Sequence, residues 1–547
     1  MSWEAGEGRR VVLAALGLFL GTLLLYAGVR ELGFLDYDDG IYLRRNEHVV
    51  SGVTPRGLWW ALTSVTYACN WHPATWASHM LDMSLFAKDP AGHHLHSAVL
   101  HAANAVLCFF ALRALTGAFW RSLVVAALFA CHPLRVESVA WISERKDVLS
   151  GFWSLATLWL WASWVRSPTR ARHVLVAAAL TLALLAKPMA VTLPFLLVLL
   201  DRWPLGRRQG WPELLREKLL LFVLAAGSAV LTLVAQSRGG CTGFVEEGIA
   251  AGSRLGNAAI ATWQYVGHTL WPARLSVFYP HPAVVEPETS RALASALAAG
   301  ALLVTSALAA ALRRRSPALL VGWLWFLGML VPVLGVVQVG GQALADRYAY
   351  LSTVGLYVAA VWCLGPLARR PALRASLAGL ALVAVGFLSA ATLRQIPVWK
   401  DDRTLFEHAL RVTERNYVAH TNLGRLAGFE RSTDRTREAR EHFEAAVSFA
   451  PGFFESRLNL GLALRILGEP ERALDHLERA VRIRPERATG HYELALALQA
   501  LGRLDEAERE LLEARRLEPD HPHVDRRLLE LRRARDAGRE GGERGGE

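Results

Sequence analysis

The feature that most constrains this 547-residue chain is a series of long apolar runs. The first, Val11–Val29, holds 19 residues without a charge. A helix rises about 1.5 Å per residue, so about 20 apolar residues cross the ~30 Å hydrocarbon core of a bilayer. No small-residue cleavage site follows this run, which predicts a retained span and not a signal peptide. Ten further runs lie near residues 97–115, 120–134, 148–165, 173–186, 188–200, 218–236, 291–312, 317–335, 349–366 and 373–393.

The short loops between these runs collect basic residues, which accounts for the net charge of +11. Lys and Arg concentrate in the cytoplasmic loops of membrane proteins, so we predict that these loops face the cytoplasm. With eleven spans the N-terminus is then cytoplasmic, and everything after residue 395 is external. No nucleic-acid partner is expected, because the orientation explains the charge. The basic loops are Arg166–Arg172, Arg202–Lys218, Arg313–Arg315 and Arg369–Arg374.

The same rule decides two ambiguous segments. Residues 173–200 could form one helix kinked at Lys187-Pro188, but two short helices keep every basic loop on one side and are preferred. Leu255–Leu270 is apolar, yet it carries polar side chains, and a span there would place Arg313–Arg315 outside. We therefore predict that 237–290 is one external loop with a re-entrant or interfacial helix.

After Trp399 the composition changes to a repeat with a period of 34 residues. This period, with small residues at fixed places, is typical of tetratricopeptide repeats, in which each helix pair buries its apolar face against the next. The period is carried by Pro451, Pro485 and Pro519, by Leu467-Gly468 and Leu501-Gly502, and by the pairs Ala473 with Ala507 and Ala480 with Ala514.

The predicted fold class is all-α, a polytopic membrane bundle of about eleven spans followed by a tetratricopeptide-repeat α-solenoid. The membrane domain takes residues 1–395 and the repeat segment residues 396–533. The Arg-, Glu- and Gly-rich residues 534–547 are predicted to be a disordered tail. Within these parts, the predicted external loops are 30–96 (loop 1) and 237–290, and the predicted repeats are 415–451, 452–485 and 486–519.

Polar residues that could carry chemistry fall in the segments predicted to be external. Loop 1 holds the stretch Leu35-Asp36-Tyr37-Asp38-Asp39, and the later segments 132–147 and 338–348 add carboxylates and cations. Groups from distant parts of the sequence would thus meet at one membrane face, where charge is costly and tends to be kept for a use. Such a site suits an anionic, lipid-linked substrate.

Each of these groups also has a structural interpretation. Acidic residues in a hydrated loop are commonly just solvated, and Asp147 fits a helix N-cap in a local ion-paired turn. Lys187 beside a helix end fits a snorkelling side chain. His94 and His101 are seven residues apart, two helical turns, so the histidines at 93–101 predict no metal site. A disulfide between Cys69 and Cys241, both in predicted external loops, is left open.

Several long motifs in a fixed order resemble a known family over nearly the whole chain. They are HPLRVESVAWISERKDVLSGFW, LLAKPMAVTLPFLLVLLDRWPL and LGVVQVGGQALADRYAYL, joined by FLDYDDGIYLRRN, HLHSAVLHAANAVL, WPARLSVFYP and the C-terminal repeats. These strings are similar to those of the transmembrane and tetratricopeptide-repeat O-mannosyltransferases and their bacterial relatives. Two positions depart from the pattern, Ser97 where relatives usually have Asn and Ser352 where they usually have Pro.

The resemblance implies a GT-C fold like that of the protein O-mannosyltransferases, with an active site under the first external loop. It also implies a polyprenyl-phosphate sugar donor and a bacterial inner-membrane location. Asp38-Asp39 matches an acidic pair of which one member is the catalytic base, and Asp36 becomes a neighbour. The substrate-binding positions are Glu137, Glu144, Arg145, Lys146, Asp346 and Arg347, to which we add His94 as a candidate.

These residues support a mechanistic hypothesis. Glycosyl transfer needs a base that takes the acceptor hydroxyl proton, here Asp38 or Asp39, and cations that hold the departing phosphate. We expect attack at C1 with inversion, with Arg347, Arg145 and Lys146 on the phosphate. No cofactor is required, although a bridging divalent cation is left open. The repeats would present a concave groove to an acceptor polypeptide, or would serve assembly with a partner protein.

Two other classes of function compete with a membrane glycosyltransferase that moves a sugar, expected to be mannose, to protein Ser or Thr. A non-enzymatic repeat scaffold would need one span and has no reason to collect acids and cations on one face. A transporter or flippase for lipid-linked substrates is expected to place charges within its spans, whereas most charges here are in loops. The enzyme is therefore favoured.

Overall fold

The computed structural model describes residues 5–238, 248–286, 291–335, 340–428 and 433–544. The chain forms two compact units. The first comprises most of residues 1–405, and the second comprises the chain from residue 406 onward with two short earlier segments. The predicted all-α class is confirmed, since the β-structure of the described residues is limited to two short strands, Tyr279–Pro280 and Gln342–Leu344.

Up to residue 395 the described chain folds into short and long α-helices in alternation. The first ten are α1 (Ala5–Leu25), α2 (Glu47–Val50), α3 (Pro55–Thr63), α4 (Pro73–Phe86), α5 (Pro90–Thr116), α6 (Phe119–Cys131), α7 (Val136–Ala140), α8 (Arg145–Arg166), α9 (Arg170–Ala186) and α10 (Leu193–Arg202). The next eight are α11 (Trp211–Arg216), α12 (Leu219–Arg238), α13 (Ala251–Leu270), α14 (Pro282–Val285), α15 (Ala292–Ala311), α16 (Pro317–Leu330), α17 (Ala349–Leu364) and α18 (Pro371–Gln395).

All eleven predicted apolar runs are helical, but not all of them are long enough to cross a bilayer. Within the described ranges, seven helices pass by length and composition, or eight if the bent pair at α6 and α7 is one span. This makes the chain a multi-pass membrane protein. The remaining runs, α9, α10 and α16, have 17, 10 and 14 residues and are shorter than a typical span. The predicted number of eleven therefore exceeds what helix length supports.

The break between α9 and α10 follows the preferred interpretation of residues 173–200. Lys187 is extended, at φ −155° and ψ 130°, and the five residues Pro188–Thr192 form a 3-10 turn before α10. A residue before proline is biased away from the helical region, which ends α9 at Ala186. By contrast α13 does not pass as a span. Whether it is re-entrant or interfacial stays a prediction.

Four of the short 3-10 turns in the first unit precede or interrupt helices close to the polar residues singled out from the sequence, most of which lie in these turns or within two residues of them. Pro133–Arg135 lies between α6 and α7, where the helix axis bends by 60°. The others are Ile142–Glu144 before α8, Pro188–Thr192 before α10 and Asp346–Tyr348 before α17. Turns of this kind leave polar backbone and side-chain groups at the starts of helices.

Loop 1 is itself folded around a small aromatic core. Tyr42, Leu43, Trp76 and Met80 are buried there. The Tyr42 ring stacks on the Trp76 ring with centroids 4.8 Å apart. This core fixes the segment that follows the acidic stretch, so Asp38 and Asp39 belong to an ordered turn.

The second unit is a series of antiparallel helix pairs. Gly468 and Gly502 end helices at positive φ, +81° and +76°, which glycine adopts without a Cβ penalty and which explains the Leu-Gly repeat in the sequence. At Gly461 a Cβ would stand 2.5 Å from Leu477, so these two helices need a residue without a side chain where they cross. The helices are α19 (Asp402–Val412), α20 (Tyr417–Ala427), α21 (Thr433–Phe449), α22 (Phe454–Ile466), α23 (Pro470–Ile483), α24 (Ala488–Ala500), α25 (Leu504–Leu517) and α26 (Val524–Arg544).

The last helix, α26, extends into the segment 534–547 that composition predicts to be disordered. Part of its sequence has Arg and Glu three or four residues apart, with Arg526 and Arg527 both paired to Glu530. Pairs at this spacing favour helix and add to the packing of Val524, Leu528 and Leu531 in the core of the unit. The order of this tail in solution remains a prediction, and residues 545–547 lie outside the described residues.

Candidate active site

Three segments far apart in sequence meet through Arg347. Its backbone N–H donates to Glu137 Oε2 at 2.7 Å, and its Nη1 donates to Glu137 Oε1 at 2.5 Å. Its Nε lies 3.4 Å from Glu144 Oε1. The start of α17 is thereby tied to α7 and to the turn before α8. This fulfils the expectation that polar groups of the segments 132–147 and 338–348 lie together.

Glu144 is the centre of the cluster because it contacts three cations. Besides Arg347, Lys146 Nζ is 3.0 Å from Glu144 Oε1 and Lys187 Nζ is 3.1 Å from Glu144 Oε2. Lys187 also reaches Asp147 Oδ1 at 2.6 Å. All of these side chains are at most 15 % exposed, so the ion pairs are shielded from bulk water and are stronger than surface pairs.

Lys187 and Asp147 belong to the charged cluster, although the sequence predicted other roles for them. Lys187 was interpreted as snorkelling, but it is buried and paired with two carboxylates. Asp147 is not the N-cap of α8. Glu144 holds that position, and Asp147 lies in the first turn, where it also accepts a hydrogen bond from Ser138 at 3.1 Å. The signal in the sequence was a lone Lys between two apolar runs, a placement that is costly without a partner.

The two members of the acidic pair have different environments. Asp39 is fully buried, and its carboxylate accepts hydrogen bonds from the backbone N–H of Leu35 at 2.9 Å, from the backbone N–H of Ser143 at 3.0 Å and from the Ser143 hydroxyl. These bonds join the turn at 36–38 to the turn before α8. Burial raises the pKa of Asp39 to about 7, and its hydrogen bonds oppose that rise. Asp39 is thereby tied to the backbone on both sides, and its catalytic role remains a prediction.

Asp38 differs from Asp39 in the partners of its carboxylate. It is half-buried, and within the described ranges no donor lies within hydrogen-bond or ion-pair distance of its side chain. Burial raises the pKa of Asp38 to about 6; Lys146 and Arg347 oppose that rise and Glu144 adds to it. The three cations of the cluster face the three carboxylates of Glu137, Glu144 and Asp147. Asp38 is thus a carboxylate beside a charged cluster in which every other acid is already paired.

An aromatic wall flanks this carboxylate. The Tyr37 ring stacks on the Trp141 ring at 5.3 Å, and the Arg347 guanidinium lies 5.5 Å from the Trp141 centroid on that ring. Lys146 Nζ lies 4.7 Å from the centroid of the Tyr42 ring. Cations over aromatic faces are held by the ring quadrupole, so the two rings add to the fixation of Arg347 and Lys146.

Arg145 is not part of this cluster, although the sequence grouped it with the phosphate-binding cations. Its guanidinium is fully buried on the loop 1 side, where Nη2 donates to Asp82 Oδ2 and to the His93 carbonyl, both at 2.7 Å. Nε donates to Ser97 at 2.9 Å, and Nη1 donates to Ser78 at 3.0 Å and contacts His96 Nδ1 at 2.9 Å. Arg145 therefore fastens loop 1 to the start of α8.

Two further candidates also lie outside the direct contacts of the cluster. His94 is buried, and its Nε2 contacts the Gly33 carbonyl at 3.3 Å. Asp346, next to Arg347, accepts a hydrogen bond from the Tyr279 hydroxyl at 2.9 Å and lies 3.7 Å from His268 Nδ1. Their assignment to substrate binding remains a prediction.

A small cavity, partly open to the surface, is lined in part by members of the charged cluster. Asp147 and Lys187 are its charged lining residues, and the rest of the lining combines hydroxyl-bearing and apolar side chains. The other lining residues are Ser150, Gly151, Ser154, Met189, Ala190, Met329, Tyr350, Leu351 and Ser352. Charged, hydroxyl-bearing and apolar side chains thus meet around one small opening beside Lys187.

The metal and disulfide questions left by the sequence have partial answers. In the part of the chain that the structure describes, no group of three or more His, Cys, Asp or Glu side chains is arranged to hold a metal ion. Cys108, Cys131 and Cys363 are free, and Cys69 is disulfide-bonded. Cys241, the partner that the sequence suggests, lies outside the described residues.

The fold and the helices together define a multi-pass membrane protein with tetratricopeptide repeats in its C-terminal part. A family model described as tetratricopeptide repeat matches residues 464–529, which confirms the repeat assignment there. Three curated relatives carry the name protein O-mannosyl-transferase. Tmtc1 of Drosophila melanogaster is 28% identical over 197 residues, 35% of this chain and 23% of that protein. Tmtc2 of Drosophila melanogaster is 30% identical over 196 residues, which are 33% of this chain and 20% of that protein. The tmtc2 protein of Xenopus laevis is 30% identical over 146 residues, which are 25% of this chain and 17% of that protein.

These matches confirm the resemblance to the transmembrane and tetratricopeptide-repeat O-mannosyltransferases that the motifs predict. The matched regions span less than a quarter of the length of these relatives. Among solved structures, ArnT from Cupriavidus metallidurans bound to undecaprenyl phosphate is 16% identical with a TM-score of 0.37, over 95% of this chain and 89% of that one. The APC/C hetero-tetramer Cut9-Hcn1 is 13% identical with a TM-score of 0.25, over 91% of this chain and 99% of that one. Scores this low support no argument about the site.

Proposed function

We propose that this protein is a membrane glycosyltransferase of the GT-C type, which transfers a sugar, mannose in the first instance, from a polyprenyl-phosphate donor to a Ser or Thr hydroxyl of an external polypeptide. The observation that carries the proposal is the half-buried carboxylate of Asp38, which has no hydrogen-bond or ion-pair partner among the described residues and lies beside the cluster of Lys146, Lys187 and Arg347. The similarity to proteins named O-mannosyl-transferases supports the same reaction class.

The reaction follows from this arrangement. Asp38 takes the proton of the acceptor hydroxyl as its oxygen attacks C1 of the donor sugar from the face opposite the phosphate. The new C1–O bond forms as the bond from C1 to the phosphate oxygen breaks, and the phosphate leaves with the electron pair, so the configuration at C1 inverts. Lys146 and Lys187 are the cations that would stabilise the developing phosphate charge, and Arg347 would hold Glu137 and Glu144 in place.

The cavity beside Lys187 supports a lipid-linked donor. Lys187 would contact the phosphate, and Met189, Met329 and Leu351 of the same lining would contact the first part of the isoprenoid chain. Since Lys187 is paired with Glu144 and Asp147 in the free protein, an incoming phosphate must compete with these carboxylates. These groups are also buried. High salt should thus weaken donor binding less than it weakens binding at a surface site.

Transfer of label tests the proposal directly. The purified protein is offered a series of labelled polyprenyl-phosphate sugars together with an acceptor polypeptide rich in Ser and Thr. We expect protein-bound label from one of them, released by β-elimination, as expected for a Ser or Thr O-glycoside. Absence of label from every donor, with a correctly folded protein, would reject the enzyme proposal.

The pH dependence of transfer is expected to report Asp38. A general base must be deprotonated, and burial raises the pKa of Asp38 to about 6. Turnover should thus rise about tenfold per pH unit below that value and level off above it. The measurement is kcat from about pH 5 to about pH 8, with Asp36→Asn as a control that keeps the same profile. A flat profile over this interval would rule out Asp38 as the titrating base.

The location of the repeats is proposed to be external, at the periplasmic face of a bacterial inner membrane, where they would present the acceptor polypeptide to the active site. Reporter enzymes fused after residue 544, one active only in the cytoplasm and one active only outside it, measure this orientation. We expect the external reporter alone to be active. An active cytoplasmic reporter would contradict both the predicted topology and the docking of an external acceptor.

A further inference from the structure

One buried cation in the first unit takes no part in the proposed mechanism. Arg135 is completely buried in the 3-10 turn between α6 and α7. Its Nη1 donates to the Ala349 carbonyl at 2.7 Å and its Nη2 donates to the Thr353 hydroxyl at 2.5 Å. Its guanidinium lies 4.9 Å from the Phe129 ring centroid and 5.5 Å from that of Tyr350.

No carboxylate compensates this charge. Among the described residues, no Asp or Glu oxygen lies within 4.0 Å of the Arg135 guanidinium, and its Nε is buried without an acceptor. An arginine is always protonated, so a full positive charge is held here by two neutral oxygens and two rings. Burying a charge in this way costs stability that an apolar side chain of similar size would not. The planar guanidinium donates to two acceptors at once and so fixes their positions relative to the turn that carries Arg135.

The two acceptors belong to the segment that begins with Arg347. Ala349 and Thr353 lie on the first and second turns of α17, and Glu137 follows Arg135 by two residues. We call the two hydrogen bonds from Arg135 to Ala349 and Thr353 the Arg135 clamp. The clamp and the Glu137–Arg347 ion pair join the same two segments of the chain, within about one helical turn of each other. If the clamp is lost, the ion pair remains between these segments, and the position of Arg347 over Trp141 and Glu144 loses one of its supports.

A neutral network behind the clamp fixes it against α5. The Tyr350 hydroxyl accepts a hydrogen bond from Asn104 Nδ2 at 2.8 Å and contacts His101 Nδ1 at 2.8 Å. His101 Nε2 contacts the Ala130 carbonyl at 3.1 Å, and Asn104 Nδ2 also donates to the Val148 carbonyl at 2.8 Å. These contacts hold Tyr350, one of the rings beside the guanidinium, so that the clamp cannot shift without disturbing α5 and α8.

We propose that Arg135 is a positioning residue that holds the start of α17 against α7 and thereby sets the placement of Arg347 in the active site. This inference rests on the proposed glycosyl transfer for its kinetic consequence only. Its structural consequence, the ordering of the turn at 346–348, can be measured without any turnover.

The test compares Arg135→Met with the matched pair Thr353→Val and Thr353→Ser in the full-length protein. We expect Arg135→Met to melt in detergent at or above the wild-type temperature, because the buried charge is removed. Its kcat should fall about 10- to 100-fold, the loss expected when the groups of an active site are slightly misplaced. Thr353→Val should show a smaller loss of kcat, and Thr353→Ser, which keeps the hydroxyl, should stay within about twofold of wild type.

Hydrogen exchange of peptides covering 345–353 provides the second readout. The Arg347 N–H donates to Glu137, so its exchange should be slow in the wild type and should speed up in Arg135→Met and Thr353→Val at unchanged global stability. If kcat and exchange stay at wild-type values in both variants, the positioning role is overturned. If Arg135→Met unfolds while Thr353→Val matches wild type, the clamp is only structural and the inference also fails. A wild type that transfers no sugar, with the exchange difference still present, would reject the proposed function and leave the positioning role supported.

Discussion

Asp38→Asn is expected to reduce glycosyl transfer by about 10²–10⁴-fold, the usual contribution of a general base, without loss of folding. Asparagine keeps the size of the side chain and cannot accept the acceptor proton. Since no donor in the described residues bonds to the Asp38 carboxylate, its neutralisation leaves no broken contact. The measurement is kcat with the donor that labels wild type, beside the melting temperature in detergent.

Asp39→Asn and Asp36→Asn are the matched comparisons in the same turn. Asp39→Asn places an amide among three donors, so its nitrogen would face N–H or O–H groups, and we expect a lower melting temperature. Asp36→Asn removes an exposed carboxylate paired with Arg44 and should leave kcat within about twofold. If Asp38→Asn keeps wild-type kcat while Asp39→Asn folds normally and is inactive, the roles that we assign to the two residues are reversed.

The sequence was sufficient to predict the helical runs and the convergence of Glu137, Glu144, Lys146 and Arg347. Hydrophobic runs fix where helices lie, and loop charges decide which polar segments share a face. The spacing of Leu467-Gly468 and Leu501-Gly502 predicted the repeats because a glycine at positive φ ends each helix. The helices and repeats depend on local sequence, and the shared face depends only on which side of the membrane each loop lies.

What the sequence could not predict is which charges pair. Lys146 and Arg145 are neighbours in one turn, but successive residues at the start of a helix point in different directions, so one joins Glu144 and the other joins Asp82. Lys187 reaches Glu144 across 43 residues and Arg135 reaches Thr353 across 218, distances over which no motif specifies a contact. The difference between Asp38 and Asp39 likewise depends on Ser143, whose position is fixed only by tertiary structure.

Arg145 and Asp82 form a buried ion pair that holds loop 1 against the start of α8, outside the direct contacts of the charged cluster. Burial alone would raise the pKa of Asp82, but the Arg145 charge, with help from His96, holds that pKa well below its usual range. The Asp82 carboxylate is thus ionised at neutral pH, and the stability that the pair contributes is present there and is lost only as the pH falls through the lowered pKa.

Arg145→Met is therefore expected to lower the free energy of unfolding by about 3–5 kcal/mol, because it leaves Asp82 buried and charged without its partner. The measurement is chemical or thermal unfolding in detergent, with folded yield as a check. Adding Asp82→Asn to Arg145→Met should recover part of the loss, since the remaining group is then neutral. Arg44→Met, which breaks an exposed pair in the same loop, should cost less than about 1 kcal/mol. If Arg145 instead held the donor phosphate, Arg145→Met would fold with wild-type stability and show a raised KM for the donor, and Asp82→Asn would recover nothing. The two roles thus predict opposite results for stability, and the double variant decides between them.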